Sequence, residues 1–124
     1  MTEIFFVSLG AILGANTRYI ISNNLEKMNL SKQYSILIIN IFASFCLALF
    51  LSMIEQFSSF KYSYTLVLFF SIGFLGSLST FSAFMYDLFD LCLRLKFSRA
   101  LNLFLISSSL GIIAFALGFL LGNQ

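Results

Sequence analysis

The chain has 124 residues, of which 60% are hydrophobic and only 10% are charged, and its formal net charge is +2. So little charge cannot cover the surface of a soluble protein of this length, and the mean hydropathy of +0.98 favours a lipid bilayer as its solvent. Because the sequence has no histidine, histidine-based catalysis and metal sites with histidine ligands are excluded. The weak, dispersed positive charge does not suggest a nucleic-acid partner.

Four long uncharged stretches are separated by short polar connectors. A helix needs about 20 apolar residues to cross the hydrocarbon core. Each stretch meets that length, the first only if Arg18 lies near an interface and extends its side chain towards water. The sequence therefore predicts an all-α membrane protein that forms one transmembrane domain over residues 1–124. The predicted spans cover approximately residues 4–21, 34–54, 62–86 and 101–121.

Polar and small residues inside the first two spans are few. Gly10 and Gly14 form a pair separated by three residues, which predicts a packing face between helices. Asn40 lies within the second span, where an amide either bonds to a neighbouring helix or contacts something that passes through the protein. The sequence leaves both interpretations of Asn40 open.

The third span contains an unusual segment, residues 73–84, which reads GFLGSLSTFSAF and holds two glycines and four hydroxyl residues. Such a segment is typical either of a helix broken at mid-membrane, whose backbone lines a polar cavity, or of a continuous helix that packs through small residues. Phe81 and Phe84 would share one helix face. Contact with lipid or a place in the core is the ordinary role of such phenylalanines.

The fourth span carries a run of three serines and a second glycine pair, Gly118 and Gly122, which predicts another packing face. The carboxylates all lie at or near the ends of the predicted spans: Glu3, Glu26, Glu55, Asp87 and Asp90. The interior of the protein therefore offers hydroxyl groups, amide groups and aromatic ring edges. These groups present positive partial charge, which suits a small anion better than a cation.

Three separated motifs resemble the Fluc/CrcB family of fluoride channels. They are GAILGANTRY at residues 10–19, Asn40 within ILIINIF, and GFLGSLSTFSAF at residues 73–84, of which the last is the specific one. The resemblance covers essentially the whole chain. It implies a fluoride-specific ion channel, not an enzyme, that passively exports fluoride from the cytoplasm across the cell (inner) membrane and so lowers its toxicity.

The resemblance also implies an assembly and a set of site residues. The family forms an antiparallel dimer, so the expected partners are fluoride, membrane lipid and a second copy or an oppositely oriented sister subunit. The third helix is expected to break at mid-membrane, where the backbone carbonyls of Gly76 and Ser79 would hold a structural sodium ion that is not transported. Arg18 would line the aqueous vestibule. The residues expected to line the pore are Asn40, Thr80, Phe81, Phe84 and Ser107.

The sequence departs from the family pattern at a few positions. Ser77 replaces the second glycine of a pair, and Ser79 replaces a threonine, which a contact through the backbone should tolerate. Ala83 replaces a hydroxyl residue. Leu103 stands where relatives often have tyrosine or asparagine, so one pore contact is either missing or supplied by the neighbouring Asn102.

Two other functions fit a chain with four spans. A small four-helix drug-efflux transporter normally uses a glutamate within its first helix, but here Glu3 lies at the terminus. A non-conducting partner subunit of a fluoride channel would not need both the glycine-serine segment and the phenylalanine pair. Flux of fluoride compared with chloride separates these alternatives.

Lysine and arginine are distributed unevenly between the two expected sides of the membrane. One side carries Lys61, and the other carries Lys27, Lys32, Arg94, Lys96 and Arg99. Because the basic side of a membrane protein faces the cytoplasm, this bias predicts termini that face outwards and pairing with an oppositely oriented sister. A homodimer whose two copies insert in opposite directions is the alternative.

Overall fold

The computed structural model of the chain describes residues 1–56, 61 and 63–123. The regular structure of these residues is helical throughout, and four of the helical stretches are long and apolar enough to cross a membrane. The predicted all-α architecture with four spans is therefore confirmed. Tyr62, with which the predicted third span begins, lies outside the described residues.

The third span differs from the others because it consists of several helical pieces. In chain order the elements are α1 (Thr2–Lys27), α2 (Lys32–Gln56), α3 (Ser63–Leu66), a π-helix (Val67–Leu75), α4 (Gly76–Leu78), α5 (Phe81–Leu93) and α6 (Phe97–Gly122). Several helices extend past the predicted spans, because charged side chains at a helix end reach water while the backbone stays helical. The first span, for example, continues past Ile21 to Lys27, which is exposed.

The first span packs against the π-helix through glycine. A β-carbon on Gly10 would lie 2.9 Å from the Phe74 nitrogen, and one on Gly73 would lie 2.6 Å from the Val7 carbonyl oxygen. Neither site has room for a side chain, so the two backbones are in direct contact. Gly14 meets the third span in the same way, and the glycine packing face predicted for the first span is confirmed.

The second and fourth spans are joined by the second glycine pair and by polar groups at their ends. A β-carbon on Gly122 would lie 2.6 Å from the Ser52 β-carbon, and Gly118 is equally close to α2. The Ser52 hydroxyl donates to the Phe119 carbonyl at 3.1 Å, and the Gln56 amide donates to the Gly122 carbonyl at 2.8 Å. The bond from Gln56 satisfies a carbonyl in the last turn of α6, where helical donors run out.

A small buried cluster fixes the second span against the third. Ile39 and Ala43 of α2 are each 3% exposed, and they pack with Leu75 and with Leu78, which is 1% exposed. Most other large apolar side chains are exposed, as expected for helices surrounded by lipid. The cluster therefore sets the position of the segment that follows Leu78.

Replacement of Gly10 by alanine should destabilise the protein by about 1–3 kcal/mol, because the new methyl group must push two backbones apart. Gly111→Ala is the matched control, since a β-carbon at Gly111 would lie 3.9 Å from the Ser44 hydroxyl oxygen, an ordinary contact. Thermal unfolding in detergent should show a lower midpoint for Gly10→Ala alone. Equal midpoints for both variants and the parent protein would contradict the tight contact.

Candidate functional site

The third span is interrupted between Leu78 and Phe81. Ser79 has ψ 153° and Thr80 has φ −143° and ψ 119°, so both residues are extended. The Thr80 hydroxyl accepts a hydrogen bond from the Ala83 nitrogen at 3.4 Å and caps α5. Because threonine is a favoured N-cap residue, it helps a new helix begin at Phe81.

Asn40 of the second span is bonded to this interruption. Its Nδ2 group donates to the Thr80 carbonyl at 3.1 Å, and the Thr80 nitrogen donates to Asn40 Oδ1 at 2.9 Å. One carboxamide therefore satisfies both backbone groups of Thr80, as a neighbouring β-strand would. Of the two interpretations that the sequence left open for Asn40, the interhelical bond is the one these distances describe.

The interruption leaves two backbone carbonyls without strong donors. In a continuous helix the Thr80 nitrogen would donate to the Gly76 carbonyl, and the Ala83 nitrogen would donate to the Ser79 carbonyl. Here Asn40 and the Thr80 hydroxyl accept those two donors. Among the described residues, the only donor directed at the Gly76 carbonyl is the Ser79 hydroxyl, at 3.5 Å. No donor in this part of the chain reaches the Ser79 carbonyl. Gly76 is also exposed on the surface of the chain.

Two phenylalanines follow the interruption. The rings of Phe81 and Phe84 have centroids 6.4 Å apart, and Phe84 also stacks on Phe104 of α6 at 6.5 Å. Phe81 is 74% exposed and lies beside polar residues. The pair therefore shares one face of α5, with Phe84 packed towards the fourth span and Phe81 directed outwards.

Two cavities meet at the interruption, and a third adjoins the second of them. The first has a volume of about 470 Å³, and its lining includes the cationic residues Arg18 and Lys32 as well as Thr80. The second, of about 210 Å³, is lined by Asn40, Ser44, Ser79, Thr80, Phe81 and Phe84. Because Thr80 lines both, the interruption separates a basic cavity from one with aromatic and hydroxyl walls.

The third cavity, of about 500 Å³, extends the series along α6. Its lining includes Ser44, Ser107 and Ser108. Ser44 also lines the second cavity, so the two share a wall. The Ser107 hydroxyl oxygen is buried and has no hydrogen-bond partner among the described residues.

The structure thus brings most of the predicted site residues together. The predicted residues that line at least one of the three cavities are Arg18, Asn40, Ser79, Thr80, Phe81, Phe84 and Ser107. Gly76 lines none of the three. The sequence did not identify Lys32 and Ser44 as lining residues. Ser44 could have been identified, because it lies one helical turn after Asn40, a spacing that places both on one face.

The departures from the family pattern have distinct structural outcomes. The Ser77 hydroxyl donates to the Ala11 carbonyl at 2.9 Å, so this serine adds a bond between the first and third spans. Ala83 supplies the backbone nitrogen that Thr80 caps. Leu103 and Asn102 line a separate cavity of about 490 Å³ that also includes basic residues. Leu103 therefore lies outside the series of cavities at the interruption.

Comparison with known proteins places this site in a family context. The family described as "CrcB-like protein, Camphor Resistance (CrcB)" matches residues 5–119. The chain is 66% identical to Fluoride-specific ion channel FluC 2 of Prochlorococcus marinus (strain NATL2A) over all of both chains. It is 38% identical to FluC 1 of Parasynechococcus marenigrum (strain WH8102), over 97% of this chain and 93% of that protein. It is also 33% identical to FluC of Histophilus somni (strain 2336), over 82% of this chain and 79% of that protein.

Replacement of Thr80 by valine should cost about 1 kcal/mol of stability, because α5 loses the side chain that caps its first turn. Thr80→Ser should keep most of that stability. Thr17→Val is the matched control, since the Thr17 hydroxyl donates only within α1, to the Leu13 carbonyl at 2.7 Å. Thermal midpoints in detergent give the comparison, and a Thr80→Val protein as stable as Thr17→Val would contradict the capping role.

Proposed function

This chain belongs to the CrcB family, and from that premise we propose that it is a fluoride-specific ion channel. It passively exports fluoride from the cytoplasm across the cell (inner) membrane and so lowers the toxicity of the ion; it is not an enzyme. The observation that carries the proposal is the series of cavities at the interruption of the third span, lined by hydroxyl, amide and phenyl groups. Membership of the family also removes support for the drug-efflux alternative.

The chemistry of the cavity walls suits fluoride. Fluoride is small and strongly hydrated, so a pore must replace its water with close donors. Hydroxyl groups of Ser44 and Ser107 and the ring edges of Phe81 and Phe84 are such donors, and each binds weakly enough for the ion to leave. Larger halides are excluded because the pore is too narrow for them. The cationic residues of the first cavity raise the local concentration of anions.

The interruption also divides the third span into two helical dipoles. The first turn of α5 presents backbone N–H groups and the positive end of a helix, which favour an anion. The carbonyls that precede it present the opposite charge. We place this division at mid-membrane. There the first turn of α5 favours an anion, and the carbonyls that precede it favour a cation.

The carbonyls of Gly76 and Ser79 fit a structural sodium ion. Both lack strong donors among the described residues, and carbonyl oxygen is the ligand that a hard cation prefers. One chain offers two such oxygens, and a second subunit related by a twofold axis brings two more. When bound, the ion supplies a fixed positive charge that favours an anion at the same depth, and it is not itself transported.

The exposed face around Gly76 supports an antiparallel dimer. An unpaired carbonyl that faces lipid costs several kcal/mol, so this part of a span has to be covered by protein. Two further polar residues, Ser82 and Ser108, are exposed and line the first and third cavities. A second copy or an oppositely oriented sister would close these open cavities into pores.

Purified protein in lipid vesicles should release fluoride and retain chloride. The double variant Phe81→Ile and Phe84→Ile should lower fluoride flux at least roughly tenfold, equivalent to about 1.4 kcal/mol, because isoleucine keeps the apolar volume but has no ring edge. The matched control is the double variant Phe5→Ile and Phe89→Ile, at exposed positions that line none of the three cavities. A fluoride electrode measures the flux.

Two outcomes of that experiment count against the proposal. Unchanged flux in the Phe81→Ile and Phe84→Ile protein would remove these rings from the pore. Parent protein that forms a dimer but passes no fluoride would favour the non-conducting partner subunit.

Replacement of sodium by N-methylglucamine at constant ionic strength should destabilise the dimer. For a ligand bound only by the folded dimer, each tenfold rise in sodium above its dissociation constant adds about 1.4 kcal/mol. The thermal midpoint should therefore rise with sodium concentration. If midpoint and flux are both indifferent to sodium after its exhaustive removal, the carbonyl site is wrong.

A further inference from the structure

We propose that Asn40 is the positioning residue that keeps the third span interrupted. It does so by accepting the Thr80 N–H and withholding that donor from the Gly76 carbonyl. This inference deepens the proposed function and rests on it for its consequence in ion flow. The arrangement of the backbone itself can be tested without any ion.

The carboxamide competes with the helix for one donor. A continuous helix would pair the Thr80 nitrogen with Gly76, whereas here it donates to Asn40 Oδ1 at 2.9 Å. Asn40 also donates to the Thr80 carbonyl at 3.1 Å, so it replaces both helical bonds of that residue at once. A planar amide is suited to this because it carries an acceptor and a donor side by side.

The surrounding packing holds Asn40 in place to do this. Ile39, its neighbour in α2, is 3% exposed and belongs to the same buried cluster as Leu75 and Leu78. The cluster therefore fixes the second span against the residues directly before the interruption. This packing places the side chain at position 40 beside Thr80. A side chain shorter than asparagine could not reach both backbone groups of Thr80.

Aspartate at position 40 would separate the two halves of this pairing. A carboxyl group can accept the Thr80 N–H in either protonation state, but an ionised one cannot donate to the Thr80 carbonyl. Because the acceptor is what withholds the Thr80 N–H from Gly76, Asn40→Asp protein should keep the interruption. A side chain with no acceptor within reach of Thr80 should lose it.

The first test measures hydrogen exchange of the Thr80 backbone amide by NMR of the parent protein and its variants in detergent. Asn40→Leu should raise the exchange rate of this amide or shift its resonance to that of a helical amide bonded to Gly76. A rate change of roughly tenfold is expected for the loss of one hydrogen bond. Ser44→Ala is the matched control, because it removes another polar group of the same cavity, one turn along α2, and should leave the Thr80 amide unchanged.

The second test compares Asn40→Asp, which keeps an acceptor at the position of Asn40 Oδ1, with Asn40→Ser, whose side chain is too short to reach Thr80. Thr80 protection should stay at the parent value in Asn40→Asp and should fall in Asn40→Ser. If Asn40→Leu does not fold, this comparison decides alone.

The outcomes separate this inference from the proposed function. If the Thr80 amide is as well protected in Asn40→Leu and in Asn40→Ser as in the parent protein, the positioning role is overturned, even if flux is lost, because Asn40 would then act on the ion directly. If the Thr80 amide responds to the substitutions as expected but the parent protein passes no fluoride, the positioning role is supported and the channel is rejected.

Discussion

The Thr80 backbone nitrogen has two possible acceptors, and it can satisfy only one of them well. One is the Gly76 carbonyl, four residues earlier in the chain, and the other is Asn40 Oδ1, which it contacts at 2.9 Å. Choice of the first would give a continuous helix with every backbone group satisfied. Choice of the second gives an extended pair of residues, a new helix at Phe81, and carbonyls that need another partner. The cavities, the aromatic pair and the proposed ion sites all follow from the second choice.

The packing of the first three spans makes that choice available. Glycines at positions 10, 14 and 73 let the first span touch the backbone of the third, and Ser77 adds a hydrogen bond to Ala11. The π-helix over Val67–Leu75 widens the helical turn just before the interruption, a deviation that is frequent at functional sites. The third span is thus held by close backbone contact on one side and by the cluster around Leu78 on the other.

Much of this architecture was predictable from the sequence, because it depends on local composition. Long uncharged stretches predict the four spans, and glycine pairs predict the two packing faces. The π-helix was not predictable, since its residues are almost uniformly apolar and carry no period that distinguishes it from an α-helix. The partner of Asn40 was not predictable from local pattern either, because Thr80 lies 40 residues away in the chain. The cavity role of Lys32 likewise depends on how α1 and α2 meet.

A high-resolution structure of the purified protein in sodium, with its partner subunit, tests this account most directly. The Asn40 carboxamide should be paired with both backbone groups of Thr80 in that structure. One ion should be held between the Gly76 and Ser79 carbonyls of the two subunits, with Phe81 and Phe84 facing a closed pore. A continuous third helix, in which the Thr80 nitrogen donates to Gly76 and no ion is bound, would contradict it.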